Sequence, residues 1–298
     1  MEVQYPLVFF TLFLCLSSGM LLFHGICAVR GLGTKKFHTV MLAAELVVLA
    51  IGGFSSFLHL HHWERIFNGF GHLTSGITQE LIGIVVTVVV LAVLFGVLRK
   101  GGDSERALPA WCGWLAVVVG VIMGFVCAHS YYMPARPAWS NFTLYVYYYG
   151  SELVLGAAGA WLVAAVLKED AKVGELLAKL TCAMGVVSAV AVVVAGFYWT
   201  TISFGDVGYS FHTTDPTAAL PAPAAALAAP MSGSEAGMFW GGAVVVGSLV
   251  AAVCGALGWK KPQVALPASA AALVCSLIGG VCFRVVLYAV GVSFYVYF

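Results

Sequence analysis

Eight stretches of this chain are each about 20 residues or longer, mainly apolar, and separated by short polar breaks. They run approximately from Pro6 to Val29, Phe37 to Leu58, Ser75 to Leu98, Leu108 to His129, Leu144 to Leu167, Glu175 to Trp199, Gly237 to Trp259, and Val264 to Val290. A backbone crossing hydrocarbon must satisfy its own hydrogen bonds, so runs of this length predict spanning helices. Composition agrees, since 61% of the 298 residues are hydrophobic and only 9% are charged, against roughly 25% charged in soluble domains. The expected fold class is an all-α integral membrane protein, an eight-transmembrane-helix bundle.

Lys and Arg counts in the short loops set the expected orientation. The loops after segments one, three, five and seven hold Arg30, Lys35, Lys36, Arg99, Lys100, Arg106, Lys168, Lys172, Lys260 and Lys261, with Lys179 just inside segment six. Those loops are expected on the cytoplasmic side and both termini outside. Only Glu2 precedes the first segment and no basic n-region is present, so it reads as a mature helix rather than a secretory signal. Residues 200–236 are expected to form a long outer loop containing the Pro/Ala tract 216–230, unable to continue a helix, which reads as a solvated linker or, more sharply, as a docking segment for an outer partner. Residues 1–298 read as a single polytopic membrane domain without internal repeats.

Several function classes fall away at this point. A net charge of +1 argues against a nucleic-acid partner. The eight cysteines lie in or beside apolar helices and none makes a CxxC pair, so they read as small core residues rather than ligands of an iron-sulphur cluster or zinc ion. No Gly-rich phosphate loop is present.

Ionisable side chains in the bilayer cost several kcal/mol, with estimates from about 2.5 upward, so each needs a partner or a purpose. Glu80, Glu152 and Arg284 are expected about 9, 12 and 9 Å from the outer ends of segments three, five and eight. His59 and His129 close segments two and four on that side. These five groups are therefore expected to share one shallow outer layer, with Arg284 able to pair with Glu152 or Glu80. Glu45 falls nearer the cytoplasmic side. His24, His61, His62 and His72 read as interfacial side chains.

The stretch Leu58-His59-Leu60, then Arg65, Phe67-Asn68, and Ser75-Gly76-Ile77-Thr78-Gln79-Glu80 resembles the signature of the DmsC-type membrane anchors of dimethyl sulfoxide reductase. Pro137-Ala138-Trp139 and Arg284-Val285-Val286-Leu287-Tyr288 resemble two further family motifs. The chain departs from the pattern at His61-His62-Trp63, at Ala128-His129 and Ala138, and at Gly280, where the family carries a glutamate, and so resembles a divergent member. The resemblance implies an anchor that binds and oxidises menaquinol, carries no haem or iron-sulphur cluster of its own, and passes electrons to an iron-sulphur subunit serving a molybdopterin catalytic subunit outside the bacterial cytoplasmic membrane. It also ties His59 and Glu80 to quinol binding and oxidation; Arg65, Ser75, His129, Glu152 and Arg284 are expected to support that site from their shared depth or their places in the motif.

Quinol oxidation releases two protons with two electrons, so a site for it needs an acceptor within hydrogen-bond reach and a polar exit. His59 suits the first requirement, because an unperturbed imidazole exchanges protons near pH ~6.5. Glu80 suits the second. Two rivals fit the composition: a haem b anchor using His24, His59 or His129, and a secondary transporter with broken helices and midplane sites.

Overall fold

The computed structural model describes residues 3–58, 68, 71–101, 106–202 and 223–293. Eight helices in it are long and apolar enough to cross a membrane. In chain order α1 is Tyr5–Val29, α2 Lys35–Phe57, α3 Gly76–Lys100, α4 Ala110–His129, α5 Phe142–Leu167 and α6 Ala171–Thr200. A short helix α7, Pro223–Ser232, precedes α8, Gly237–Lys260, and α9 is Ala265–Ala289, entered through a 3-10 turn at Pro262–Val264. Each expected span is therefore present, with ends shifted by four residues or fewer.

Local chemistry explains many of those ends. Thr34, Asn141 and Asp170 stand before α2, α5 and α6, and each side-chain oxygen accepts from a backbone N–H in the first turn. Such caps satisfy donors that have no partner inside the helix. Lys168 ends α5 in the left-handed conformation, with φ 53°.

The first helix occupies the centre of its half of the bundle. Of its most apolar window 78% is buried, against 28% for α2 and α3, and it packs on α4, α2 and α5. A helix apolar all round belongs in such a position. Small residues let its neighbours approach: a Cβ on Gly156 of α5 would collide with the backbone of Gly19, and one on Gly113 of α4 would meet Val29 N at 2.6 Å and Gly25 O at 2.7 Å. This is close packing of the kind that replaces the hydrophobic effect in a bilayer. The second half joins α6, α8 and α9. The first fourteen residues of α8, Gly237–Val250, are π-helical, and Gly247 there lies against Gly279 of α9.

The turns holding most of the basic residues lie together. Lys35 Nζ donates to Gly101 O at 3.1 Å, Thr34 donates to Glu169, and Arg106 lies against Gly31. A cavity between α5, α6, α8 and α9 gathers Lys168, Glu169, Glu175 and Lys260 at the same end. One end of the bundle is thus a basic face.

The Pro/Ala tract differs from expectation. Its second half forms α7, which packs on α6 and α8 and buries Leu227 and Pro230. Alanine is the strongest helix former, and Pro223 stands at the first position, where no N–H is required. Leu227→Ala should cost about 2 kcal/mol of α7 docking. The measurement is limited proteolysis within 223–232, where unchanged protection would show that α7 does not depend on this side chain.

Candidate functional site

Glu80 lies about 6 Å inside α3, one turn past its first residue, Gly76. It is 5% exposed. Its Oε1 accepts a 2.7 Å hydrogen bond from Ser130 Oγ, the residue that caps α4. The approach depends on Gly76, where a Cβ would come within 2.6 Å of Ser130 Cα. Ser75 is the N-cap of α3 and makes no side-chain capping bond. Its carbonyl accepts from Gln79 N at 3.0 Å, so its contribution is to begin the helix that carries Glu80.

An apolar groove of about 250 Å³ runs between α3 and α4. Gln79, Ile82, Gly83 and Val86 line one wall, and Val119, Ile122, Met123 and Val126 the other. Gln79 and Gly83 flank Glu80 in sequence. Glu80 itself turns away from the groove wall toward Ser130.

His129 does not join Glu80. Its Nδ1 lies 2.8 Å from Tyr145 OH, and its ring stacks on Phe125 and Tyr132. Adjacent residues on a helix face different ways, so Ser130 and His129 at the end of α4 serve different neighbours.

The expected pairing of Arg284 with Glu152 or Glu80 is absent among the described residues. Arg284 is 1% exposed and is bound instead by neutral groups from three helices. Its Nε donates to Thr11 Oγ1 at 2.9 Å, Nη1 to Tyr147 OH at 2.9 Å, Ser151 Oγ at 3.3 Å and Gly280 O at 3.1 Å, and Nη2 to Thr11 O and Cys15 Sγ, both at 3.3 Å. The planar fork of an arginine is satisfied by acceptors spread in this way. Where the family pattern has a glutamate, Gly280 offers its carbonyl. Thr11 with Cys15, and Tyr147 with Ser151, are polar pairs spaced i, i+4 in apolar helices, and that spacing is the sequence signal that would have located this cage.

Glu152 lies deeper than expected, about 15 Å along α5 from Phe142. It faces Gly124 of α4, where any Cβ would strike its Oε2, and both carboxyl oxygens are buried without a hydrogen-bond partner among the described residues. Counted along their own helices, Glu80 and Arg284 lie near an end and Glu152 farther in, yet the Arg284 guanidinium reaches Ser151, the neighbour of Glu152 on α5. His59 and Arg65, with His61 and His62, lie outside the described residues. His59 directly follows Leu58, which caps α2 at the end of the bundle where α3 begins.

The motif Pro137-Ala138-Trp139 closes that same end. Trp139 Nε1 donates to Leu287 O at 2.8 Å, Trp199 Nε1 donates to Ala138 O at 3.3 Å, and Arg136 donates to Gly291 O while lying over the Trp139 ring. Tyr288 meets the edge of Trp139. Burial pushes the Tyr131 phenol beneath this loop well above its ordinary pKa, so it stays a neutral hydrogen-bonding group. The loop thus pins the end of α9 that carries Arg284.

No group of three or more His, Cys, Asp or Glu side chains among the described residues is arranged to hold a metal ion. Among the described residues the buried histidines, His24 and His38, are hydrogen-bonded together: His24 Nδ1 is 3.0 Å from Glu45 Oε1 and its Nε2 is 2.8 Å from His38 Nδ1. Sequence reasoning placed His24 at the interface and missed this contact, because only packing of α1 on α2 reveals it.

No curated protein matches the chain. The model of the family described as DMSO reductase anchor subunit (DmsC) matches residues 1–290, nearly its whole length. That match over nearly the whole chain, together with the eight apolar spans, shows that the chain belongs to the DMSO reductase anchor subunit family, the membrane anchors of DMSO reductase-type complexes.

Proposed function

We propose that this anchor binds and oxidises menaquinol near Glu80 and passes the electrons to an iron-sulphur subunit that serves a molybdopterin catalytic subunit. The observation that carries the reading is a carboxyl buried within the first turns of α3, held by Ser130 and flanked in sequence by residues of an apolar groove. The groove suits the polyprenyl tail and ring edge of a lipid quinol, since it is almost wholly hydrocarbon. Glu80 receives a proton as the quinol is oxidised, and Ser130 orients the accepting oxygen. His59 is the first acceptor in this scheme and Arg65 a polarising cation, both from the segment joining α2 to α3. Arg284 serves instead as a clamp of α1, α5 and α9, while His129 with Tyr145 borders the same end of the bundle.

The positive-inside rule puts the basic face in the cytoplasm. The quinol site, both termini and the partner subunits then lie on the extracytoplasmic side of the bacterial membrane. The haem b alternative loses His24 as a ligand, because a ligating imidazole needs a free nitrogen and His24 has both engaged.

The test is purification of the tagged chain in mild detergent from cells grown without oxygen. Co-elution of an iron-sulphur protein and a molybdopterin protein, with no haem band in the reduced-minus-oxidised spectrum, is the expected result. Isolation with neither partner, or with stoichiometric haem, overturns it.

A further inference from the structure

A second group of ionisable side chains is buried toward the basic face, away from Glu80. His24 of α1 and His38 and Glu45 of α2 are 0%, 1% and 0% exposed. His38 and Glu45 are seven residues apart, two turns on one face of α2, and His24 reaches between them from α1. The result is a continuous chain: His38 Nδ1 to His24 Nε2 at 2.8 Å, and His24 Nδ1 to Glu45 Oε1 at 3.0 Å. The two rings are stacked with centroids 5.0 Å apart, and Phe37 covers His24 edge-on.

The two ends of the chain differ. At one end His38 Nε2 lies under the turn that joins α1 to α2, so close that a Cβ on Gly33 (φ 99°) would approach it to 3.1 Å. The charged groups around that turn are Arg30, which caps α1, Lys36 in the first turn of α2, Lys35, bound to Gly101 O, Arg106, lying against Gly31, and Glu169, holding Thr34. At the other end Glu45 lies about 10 Å deeper along α2, with its backbone carbonyl held by Ser17 Oγ at 2.9 Å. Its Oε2 is buried with no partner among the described residues. Beyond it, α1 packs through Gly19 on the backbone of α5 at Glu152, whose carboxyl oxygens also lack a hydrogen-bond partner among the described residues.

We propose that His38, His24 and Glu45 form a proton-exchange relay between the aqueous phase at the basic face and the middle of the bilayer, separate from the site at Glu80. His38 Nε2 faces the Leu32 and Gly33 carbonyls, which hold a proton on that nitrogen. From that state the carboxyl proton of Glu45 passes to His24 Nδ1, the Nε2 proton of His24 passes to His38 Nδ1, and the Nε2 proton of His38 leaves at the turn. Both imidazoles end neutral, as they began, with their tautomers exchanged; one proton has moved from the carboxyl to the turn, and the reverse sequence returns it. A clamp between α1 and α2 needs only uncharged polar side chains. Three ionisable ones in hydrocarbon are costly, and intramembrane chains of His with Asp or Glu mark proton relays.

The test uses the full chain in lipid nanodiscs, without quinol or partner subunits, so its outcome is independent of the menaquinol reading. Infrared spectroscopy follows carboxylic acid C=O bands after transfer to D₂O. One band should vanish in Glu45→Gln and persist, displaced, in Glu45→Asp. In His38→Phe that band should exchange at least tenfold more slowly than in the parent chain. His38→Gln keeps a polar end against His24 without a titratable ring, and should slow it equally. If the histidines serve only as a clamp, their loss loosens α2 and exchange becomes faster. Unchanged or faster exchange in both His38 variants, or no band that depends on Glu45, overturns the relay.

Discussion

Glu80→Gln should lower quinol-dependent electron delivery by about 100-fold or more, because general acid–base groups contribute on the order of 10² to 10⁴ in rate. The substitution is nearly isosteric, and the amide oxygen still accepts from Ser130 Oγ, so α3 should remain seated on α4. What disappears is the capacity to take up a proton. Ser130→Ala keeps the carboxyl but frees its orientation, and a loss of about tenfold is expected, in line with loss of a single orienting hydrogen bond. The measurement is anaerobic oxidation of a reduced quinol analogue by membranes holding the assembled complex, normalised to the amount of partner subunit bound. If His59 and Glu80 work as one unit, the double variant should be little slower than the worse single one. A full rate in Glu80→Gln removes this carboxyl from the mechanism.

Gly156→Val should prevent the bundle from closing. A Cβ there would collide with Cα, the carbonyl carbon and the oxygen of Gly19, all backbone atoms that no rotamer change relieves. The helices must separate, at a cost of about 3 kcal/mol or more for an overpacked contact between backbones. Separation also pulls Thr11 and Cys15 on α1 away from Tyr147 and Ser151 on α5, opening the cage in which Arg284 is held. A buried guanidinium that loses its acceptors adds to the penalty. Fluorescence-detected size exclusion of a tagged chain should show little folded material. Gly53→Val is the matched control, since a Cβ at that glycine meets nothing within 4 Å. Equal yields of folded Gly156→Val and Gly53→Val would contradict the close α1–α5 packing.

The candidate residues divided by how far their partners lie along the chain. Glu80 was legible because a carboxyl near the end of an apolar run is costly and lies inside a recognisable motif. Its partner Ser130 was not, as a serine at a helix end has many ordinary roles. Arg284 was identified as buried, but its partners were expected to be carboxylates. The structure gives it hydroxyls, carbonyls and a thiol, because Glu152 sits on another side of α5, toward Gly124. His24 and Glu45 were each visible in the sequence as isolated oddities. Only their contact across α1 and α2 joins them to His38.

The sequence by itself determined the number of spans, their approximate limits, the basic face and the family, since each depends on local hydrophobicity, loop charge or contiguous motif residues. Tertiary structure decided which polar groups meet and how deep each lies relative to its neighbours. It also turned half of the Pro/Ala tract into a docked helix. A helix buried on several sides carries no amphipathic stripe to fix its rotation, and α1 is such a helix. Its rotational setting comes from glycines and serines fitting against other backbones, and those contacts join residues far apart in the chain.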